Sequence, residues 1–385
     1  MRSDYDYIIT GGGCAGLSLL FRFHKDPYFQ HKKILVIDAV EKKQNDRTWC
    51  FWEKEPGIFE SIVHHSWDQI EFLGYQYKLT TPILPYQYKM IKGIDFYNYI
   101  QEETKSAPNI SWLQAAVTKI YTDKNGLATV ECGSMRITSQ FIFNSIIFEK
   151  PILRKHQYYF LQHFVGWEIE SVKPCFDPSM ARFMDFSISQ KNGTSFMYVL
   201  PLSNHRALVE YTLFTENLLA QNEYDQALTS YIADQLNIHE YTIEHVEKGV
   251  IPMTNFRYPE QEKNIVHIGI AANQAKASSG YAFQFIQKRT DQIITRIKKD
   301  NLDFSTRSFN DKKAALYDAT LLRVLKEGRM GGAAIFTKLF QKNKVTDLFM
   351  FLDNESSIIT DIKIMNSVPT GIFLPAAFKQ MLSAI

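Results

Sequence analysis

The sequence predicts an α/β (α+β) fold in which a discontinuous nucleotide-binding domain is interrupted by a β-rich substrate domain and followed by a helical C-terminal region. Three observations predict it: a glycine-rich strand-to-helix turn at the N-terminus, a second strand–turn–helix signature from Ile265, and a long strand-rich stretch between them. The expected boundaries are a first nucleotide-binding segment over 1–70, and a substrate domain over 71–245 that interleaves cofactor-domain strands around 110–150. A returning nucleotide-binding segment then covers 246–300, and the helical region 301–385.

The N-terminal signature is an apolar strand, Tyr5–Thr10, that turns at Gly11-Gly12-Gly13-Cys14-Ala15-Gly16 directly into a helix. Gly11, Gly13 and Gly16 satisfy G-x-G-x-x-G in the strand–turn–helix context that gives the pattern its meaning. Gly11 permits the tight turn, Gly13 lets a pyrophosphate approach the backbone, and Gly16 lets the helix lie close on its strand. The helix N-terminus directs unpaired N–H groups at the phosphates. A second strand, Lys33–Asp38, ends in an acid at the spacing of a ribose 2′-hydroxyl acceptor, so Asp38 reads as a ribose ligand and the segment as Rossmann-like.

Gln44–Gly57 follows as a polar and aromatic loop, whose charges and tryptophans suggest a lining rather than a strand. Ile70–Leu84 is strand-like with turn breaks, and Phe96–Lys105 is helical. Ile110–Tyr121, Ala128–Cys132 and Arg136–Phe148 alternate as β, with turns at Asp123–Gly126 and Gly133-Ser134. Tyr158–Phe214 is again strand-rich, punctuated by Pro174, Pro178 and Asn192-Gly193. A helix is expected over Glu223–Leu236. The return to β-then-helix runs through Ile265–Ile270 and Gly280–Lys298, and the chain is largely helical from Asp311.

Composition bounds the function. The 43 basic and 41 acidic residues nearly cancel, which argues against a nucleic-acid footprint. Cys14, Cys50, Cys132 and Cys175 are scattered without metal-ligand or disulfide spacing, and the histidines show no H-E-x-x-H pattern, so no metal site is expected. A reduced, cytoplasmic setting without a signal peptide is the simplest reading. The longest apolar run, Phe141–Phe148, falls far short of a membrane span. Phe, Tyr and Trp together make 14% of the chain, which suits a site for a large apolar or cation-forming ligand beside their ordinary use as core.

The second signature, Ile265–Asn273 followed by Ser278-Ser279-Gly280-Tyr281-Ala282-Phe283, ends a strand at small residues and opens a helix after a serine-glycine turn. Between the two signatures Ser195–Leu202 and Ala207–Phe214 read as a β-hairpin. With a four-residue turn at Ser203–Arg206, Glu210 is expected opposite Val199, on a face carrying Met197, Pro201, Leu208, Thr212 and Phe214. A carboxylate held on that face loses hydration, keeps its proton near neutral pH and becomes a proton donor. The bland alternative is a strand glutamate paired with a lysine or arginine, or set at an exposed edge.

GGGCAG at 11–16, RTWCFW at 47–52, YVLPL at 198–202 with LVEYTLF at 208–214, IPM at 251–253, ASSGYAF at 277–283 and LLRVL at 321–325 occur in order along almost the whole chain. As a set they resemble the bacterial lycopene β-cyclase family of flavoproteins. The resemblance implies redox-neutral cyclisation of the ψ-ends of lycopene to β-ionone rings, by way of γ-carotene to β-carotene. It also implies bound FAD acting in its reduced form, with NAD(P)H as reductant. Glu210 takes the place of the essential glutamate. The implied cofactor contacts are Gly11, Gly13, Ala15, Gly16, Asp38, Arg47, Thr48, Gly269, Ala271, Ser279, Gly280 and Tyr281, and the implied substrate contacts Trp49, Phe51 and Tyr211. The family often places a second acid directly after the essential glutamate, where this chain has Tyr211, so a paired carboxylate is not expected. It tends to show glycines where this chain has Ala272 and Asn273.

Protonating an isolated alkene needs a desolvated acid, and the tertiary cation that forms must meet no water, needs that a dry aromatic pocket serves. Ile335, Phe336, Leu339 and Phe340, interleaved with lysines, and the apolar tail Ile372–Ile385 suggest peripheral attachment to a membrane surface, the reservoir of a C40 hydrocarbon. Packing of the same helices on the protein's own core is the alternative. A flavin-dependent monooxygenase or prenyl reductase shares the glycine motif, and a non-catalytic carotenoid-binding flavoprotein is the reading from another class.

Overall fold

The computed structural model describes residues 3–305 and 307–383. Tyr5–Thr10 lies inside a sheet and runs parallel to both Ile34–Asp38 and Met135–Asn144, the latter parallel in turn to Ile265–His267. Parallel strands need apolar cover on both faces. On one face helices Cys14–Lys25 and Phe283–Lys298 pack through Leu17, Leu20 and Phe23 against Ile286, Ile293 and Ile297. On the other, Ala128–Cys132 folds back antiparallel and contributes Ala128 and Val130 to a cluster with Ile8, Leu35 and Ile37.

A second sheet orders its strands as Tyr241–Thr254, Tyr159–Ser171, Arg206–Thr215, Thr194–Pro201, Met180–Asp185, Gln69–Gly74 and Tyr77–Pro82. Tyr241–Thr254, which the sequence does not suggest as a strand, lies at the edge of this sheet, the position in which Pro252 is tolerated. One face packs on helix Gln221–Asp234 through Val209, Tyr211 and Leu228. The opposite face meets the C-terminal helices, where Phe72 stacks on Phe340 at 4.1 Å and Phe186 on Phe336 at 5.6 Å.

The hairpin register differs from the sequence expectation by one residue: Glu210 pairs with Tyr198, not Val199. The turn is tighter, because the Leu202 N–H donates to the Arg206 carbonyl at 2.8 Å while Ser203 Oγ accepts the Arg206 N–H at 3.0 Å. A one-residue slip exchanges faces. Met197 therefore joins Val199 and Val209 on the far side, whereas Phe196, Tyr198, Leu200, Leu208 and Phe214 share the face of Glu210.

Within Gln44–Gly57, expected as a loop, Thr48–Glu53 is a strand antiparallel to Gln87–Lys92, which also pairs with His65–Trp67. Alternation explains it: Trp49 and Phe51 enter the core of the first sheet, Cys50 and Trp52 that of the second, so the strand forms a wall between them. Helix Gly332–Lys342 likewise turns Ile335, Phe336 and Phe340 inward, which removes that stretch from the membrane surface suggested by its sequence. Among the described residues no helix is long and apolar enough to cross a membrane. Ala384 and Ile385, the end of the apolar tail, lie outside the described residues.

Candidate active site

The glycine turn has the shape its spacing demands. Gly11 has φ +98°, and a Cβ there would stand 2.1 Å from Ser145 Oγ; a Cβ at Gly16 would stand 2.0 Å from the Gly11 carbonyl oxygen. Gly13 caps helix Cys14–Lys25 without a side-chain hydrogen bond, and a Cβ there would meet nothing within 4 Å. The open space stands above free helix N–H groups, an arrangement suited to an anion. At the neighbouring strand end Asp38 Oδ2 accepts the Gly12 N–H at 2.5 Å and Oδ1 the Val40 N–H at 2.9 Å.

The returning segment closes on this turn. Gly269, at φ +65°, comes so near that a Cβ would stand 2.9 Å from Ala15 Cβ, and Gly280, at φ +73°, faces Gln162. Asn273, where the resembled family tends to glycine, occupies the left-handed region at φ 59° and exchanges hydrogen bonds with the backbone of Tyr258 at 3.1 and 3.3 Å. Asparagine is among the few residues that visit this conformation readily, so the turn is kept without glycine. Ser279 Oγ and Gln162 Oε1 are buried without a hydrogen-bond partner among the described residues, which leaves polar atoms for a ligand.

A cavity of about 360 Å³ runs from Gly13 and Ala15 past Arg47, Trp49, Gly269 and Ser279 to the second sheet, whose face forms its far end. There Glu210 and Glu247 hydrogen-bond to one another. Thr212 Oγ1 donates to Glu210 Oε1 and Thr48 Oγ1 to Glu247 Oε2, each of these two at 2.5 Å. Burial, then the Glu247 charge, pushes the Glu210 carboxyl up to about 8; Glu247 is also raised by burial, against the Thr48 hydrogen bond. What surface Glu210 retains faces the cavity. Tyr281 OH stands 3.3 Å from Tyr88 OH and 3.2 Å from Tyr198 OH, and burial keeps all three phenols and the Cys50 thiol well above their ordinary values. The tyrosine and cysteine side chains of this lining are thus uncharged at neutral pH. The cavity offers an acid to a ligand that brings no counter-ion.

Of the residues expected from sequence, Gly13, Ala15, Arg47, Thr48, Trp49, Glu210, Gly269, Ser279, Gly280 and Tyr281 line this one cavity. Gly11, Gly16, Asp38 and Ala271 stand behind it, shaping the turns that border it. Two expected substrate contacts are not brought there. Phe51 stacks on Phe283 at 4.3 Å inside the first core, because strand alternation turns it away from Cys50. Tyr211 follows Glu210 on the same strand and so faces the opposite layer, against Tyr224. Glu247 is not among the residues expected from sequence, because its strand is not. The alternation of Glu247, Gly249 and Ile251 beside β-branched Val246 and Val250 was the available signal.

Residues 6–375 match the family model described as lycopene cyclase protein. A lycopene beta-cyclase from Pantoea ananas is 24% identical over 306 residues, covering 76% of this chain and 75% of that protein. One from Pseudescherichia vulneris is 24% identical over 263 residues, covering 65% of this chain and 62% of its own. Among solved structures, a geranylgeranyl bacteriochlorophyll reductase-like protein from Thermoplasma acidophilum superimposes with a TM-score of 0.60 at 12% identity, covering 99% of both chains. A flavin-dependent halogenase from Xanthomonas campestris gives 0.62 at 10%, covering 99% of this chain and 96% of its own. Likeness at that identity speaks for the fold, whereas the sequence match extends from the first strand into the last helix and takes in the glycine turn and both glutamates: the chain belongs to the lycopene cyclase family of enzymes.

Proposed function

We propose that this protein is a lycopene β-cyclase, converting the ψ-ends of lycopene to β-ionone rings through γ-carotene to β-carotene. The observation that carries the reading is the Glu210 carboxyl, raised to about 8 and facing the same cavity as the glycine turn. A carboxyl that keeps its proton at neutral pH beside neutral tyrosines is matched to an alkene, which has no lone pair to bind a charged acid. Glu210 gives its proton to C2 of the ψ-end. The tertiary cation is attacked by the neighbouring double bond, and loss of the C6 proton completes the ring. One proton enters and one leaves, so the hydrocarbon is neither oxidised nor reduced.

The residues fit FAD. Gly11, Gly13 and Gly16 with the helix N-terminus suit its pyrophosphate, Asp38 its ribose, and the stretch from Arg47 and Thr48 to Gly269, Ala271, Ser279, Gly280 and Tyr281 its flavin end; the unpartnered Ser279 Oγ and Gln162 Oε1 are polar atoms in want of a ligand. Reduced FAD, formed at the expense of NAD(P)H, would supply negative charge beside the cation. Trp49, Tyr88, Tyr198 and Tyr281 exclude water and offer ring faces, each worth about 0.5–2 kcal/mol to a desolvated cation.

The test is to supply lycopene in membranes to the purified protein with reduced FAD. Cyclised product without stoichiometric use of reduced nicotinamide is expected. Oxygenated or saturated product with such use would show a monooxygenase or reductase, and unchanged lycopene a binding protein. Glu210→Gln is expected to retain flavin and lose ring formation by at least about 100-fold; near-normal product from that variant removes Glu210 from the acid's role.

A further inference from the structure

We propose that Glu247 is a positioning residue that shares one proton with Glu210 across Gly166, holding the acid protonated and directed into the cavity until a substrate alkene takes the proton. The inference rests on the reading of Glu210 as the acid. Arg206–Thr215, Tyr159–Ser171 and Tyr241–Thr254 are adjacent antiparallel strands, and Gly166 of the middle one is the register partner of Glu210 on one side and of Glu247 on the other. Directly opposed residues project to the same face. A side chain at the centre of that row would crowd the pair: a Cβ on Gly166 would lie 3.0 Å from Leu208 Cδ1, 3.2 Å from Glu247 Cγ and 3.5 Å from Glu210 Cβ.

Two desolvated carboxyls in contact, Glu247 buried and Glu210 half-buried, cannot both ionise cheaply, and a single shared proton resolves the conflict. The threonines divide the oxygens between two tasks. Thr212 holds one oxygen of Glu210 and Thr48 one of Glu247, which leaves the other oxygen of each free for the partner. The surroundings also decide which member keeps the proton. Arg47 and His245 act on Glu247 and favour its anion, whereas Glu210 has the neutral Cys50 and Tyr198 beside it. The proton therefore resides on Glu210 and Glu247 accepts its hydrogen bond.

In turnover the Glu210 O–H bond breaks as a C–H bond forms at the alkene, and the pair is left with two negative charges facing a carbocation. Breaking the C–H bond at C6 returns one proton to the pair. The site ends as it began and needs no further reactant.

The experiment follows the carboxylic-acid C=O stretch of isotope-labelled glutamate by infrared spectroscopy of the full-length, flavin-containing protein from about pH 5 to about pH 10, beside the pH profile of ring formation. In the natural sequence the acid band is expected to persist through neutrality and titrate near the alkaline limit of activity; absence of a protonated glutamate at neutral pH overturns the proposal. In Glu247→Gln the Glu210 band and the alkaline limb of activity are both expected to move down by about one pH unit or more. Glu247→Gln with both midpoints unchanged also overturns it. Gly166→Ala, which crowds the Glu247 stem while keeping both carboxyls, is expected to move the midpoint in the same direction. If Glu210→Gln forms rings normally, the acid reading falls, while the infrared midpoint in Glu247→Gln still reports on the pair by itself.

Discussion

Glu210 differs from an ordinary strand glutamate only in what surrounds it. Its pairing with Tyr198 and its hydrogen bond to Glu247 replace water with neutral hydroxyls and one anion, and the carboxyl rises from an ordinary 4.5 to about 8. The sign for stability follows. A carboxyl that binds its proton more tightly when folded contributes stability that is complete below its unfolded value and is lost as pH rises through its folded one. Raising the pH from about 6 to about 9 is expected to lower the free energy of unfolding by on the order of 2 kcal/mol, read by thermal melts, and Glu210→Gln should flatten that dependence. A melt that is insensitive to pH in this window, and unchanged by the substitution, would show that the carboxyl is not held in its neutral form. The acid itself was legible in the sequence from the apolar run on which it lies. Its partner was not, since Glu247 meets Glu210 through a third strand, and no local pattern encodes which strands become neighbours.

Elements divide into those fixed by local pattern and those decided by what they pack against. The strand–turn–helix at Tyr5–Lys25 belongs to the first kind, and its glycines have separable roles. Gly16→Ala would drive a methyl group onto the backbone of Gly11 and is expected to lower both the melting temperature and the flavin content of the purified protein. Gly13→Ala meets no protein atom and has an ordinary negative φ, so the melt of the flavin-free protein should be unchanged while affinity for the dinucleotide falls about tenfold, or ~1.4 kcal/mol. Equal effects of the two substitutions on the melt would contradict this division. Thr48–Glu53 is of the second kind. Its tryptophans and charges read as a loop lining, yet with apolar cores on both sides its alternation makes it a shared wall. Helix Gly332–Lys342 has a lysine-rich, apolar pattern that fits a membrane surface as well as a sheet, and the sheet's Phe72 and Phe186 claimed it.

In the whole molecule, the sheet that carries the glycine turn and the sheet that carries Glu210 meet at a cavity, with the C-terminal helices packed on a face of the second sheet. The last helix, Thr370–Ser383, buries Ala376 against its neighbours while Leu374, Phe378 and Met381 stand exposed, four and then three residues apart on its outer side. If the proposed cyclase draws its hydrocarbon from a bilayer, this stripe is the surface expected to dock on it. Leu374→Glu with Phe378→Glu is expected to cut co-sedimentation with lipid vesicles several-fold, leaving the thermal melt and the conversion of detergent-dispersed lycopene intact. Undiminished vesicle binding would move the docking surface elsewhere.

The sequence by itself determined the two-signature α/β plan, the glycine turn and the acid on its hairpin, because each is a short-range pattern in which a backbone shape or a strand period dictates residue type. The three-dimensional arrangement alone decided the one-residue register that faces Glu210 toward Tyr198, the turning away of Phe51 and Tyr211, and the meeting of Glu210 with Glu247 over a glycine. Those outcomes depend on turn tightness and on which strands lie side by side, and both are set by the packing of segments far apart in the chain.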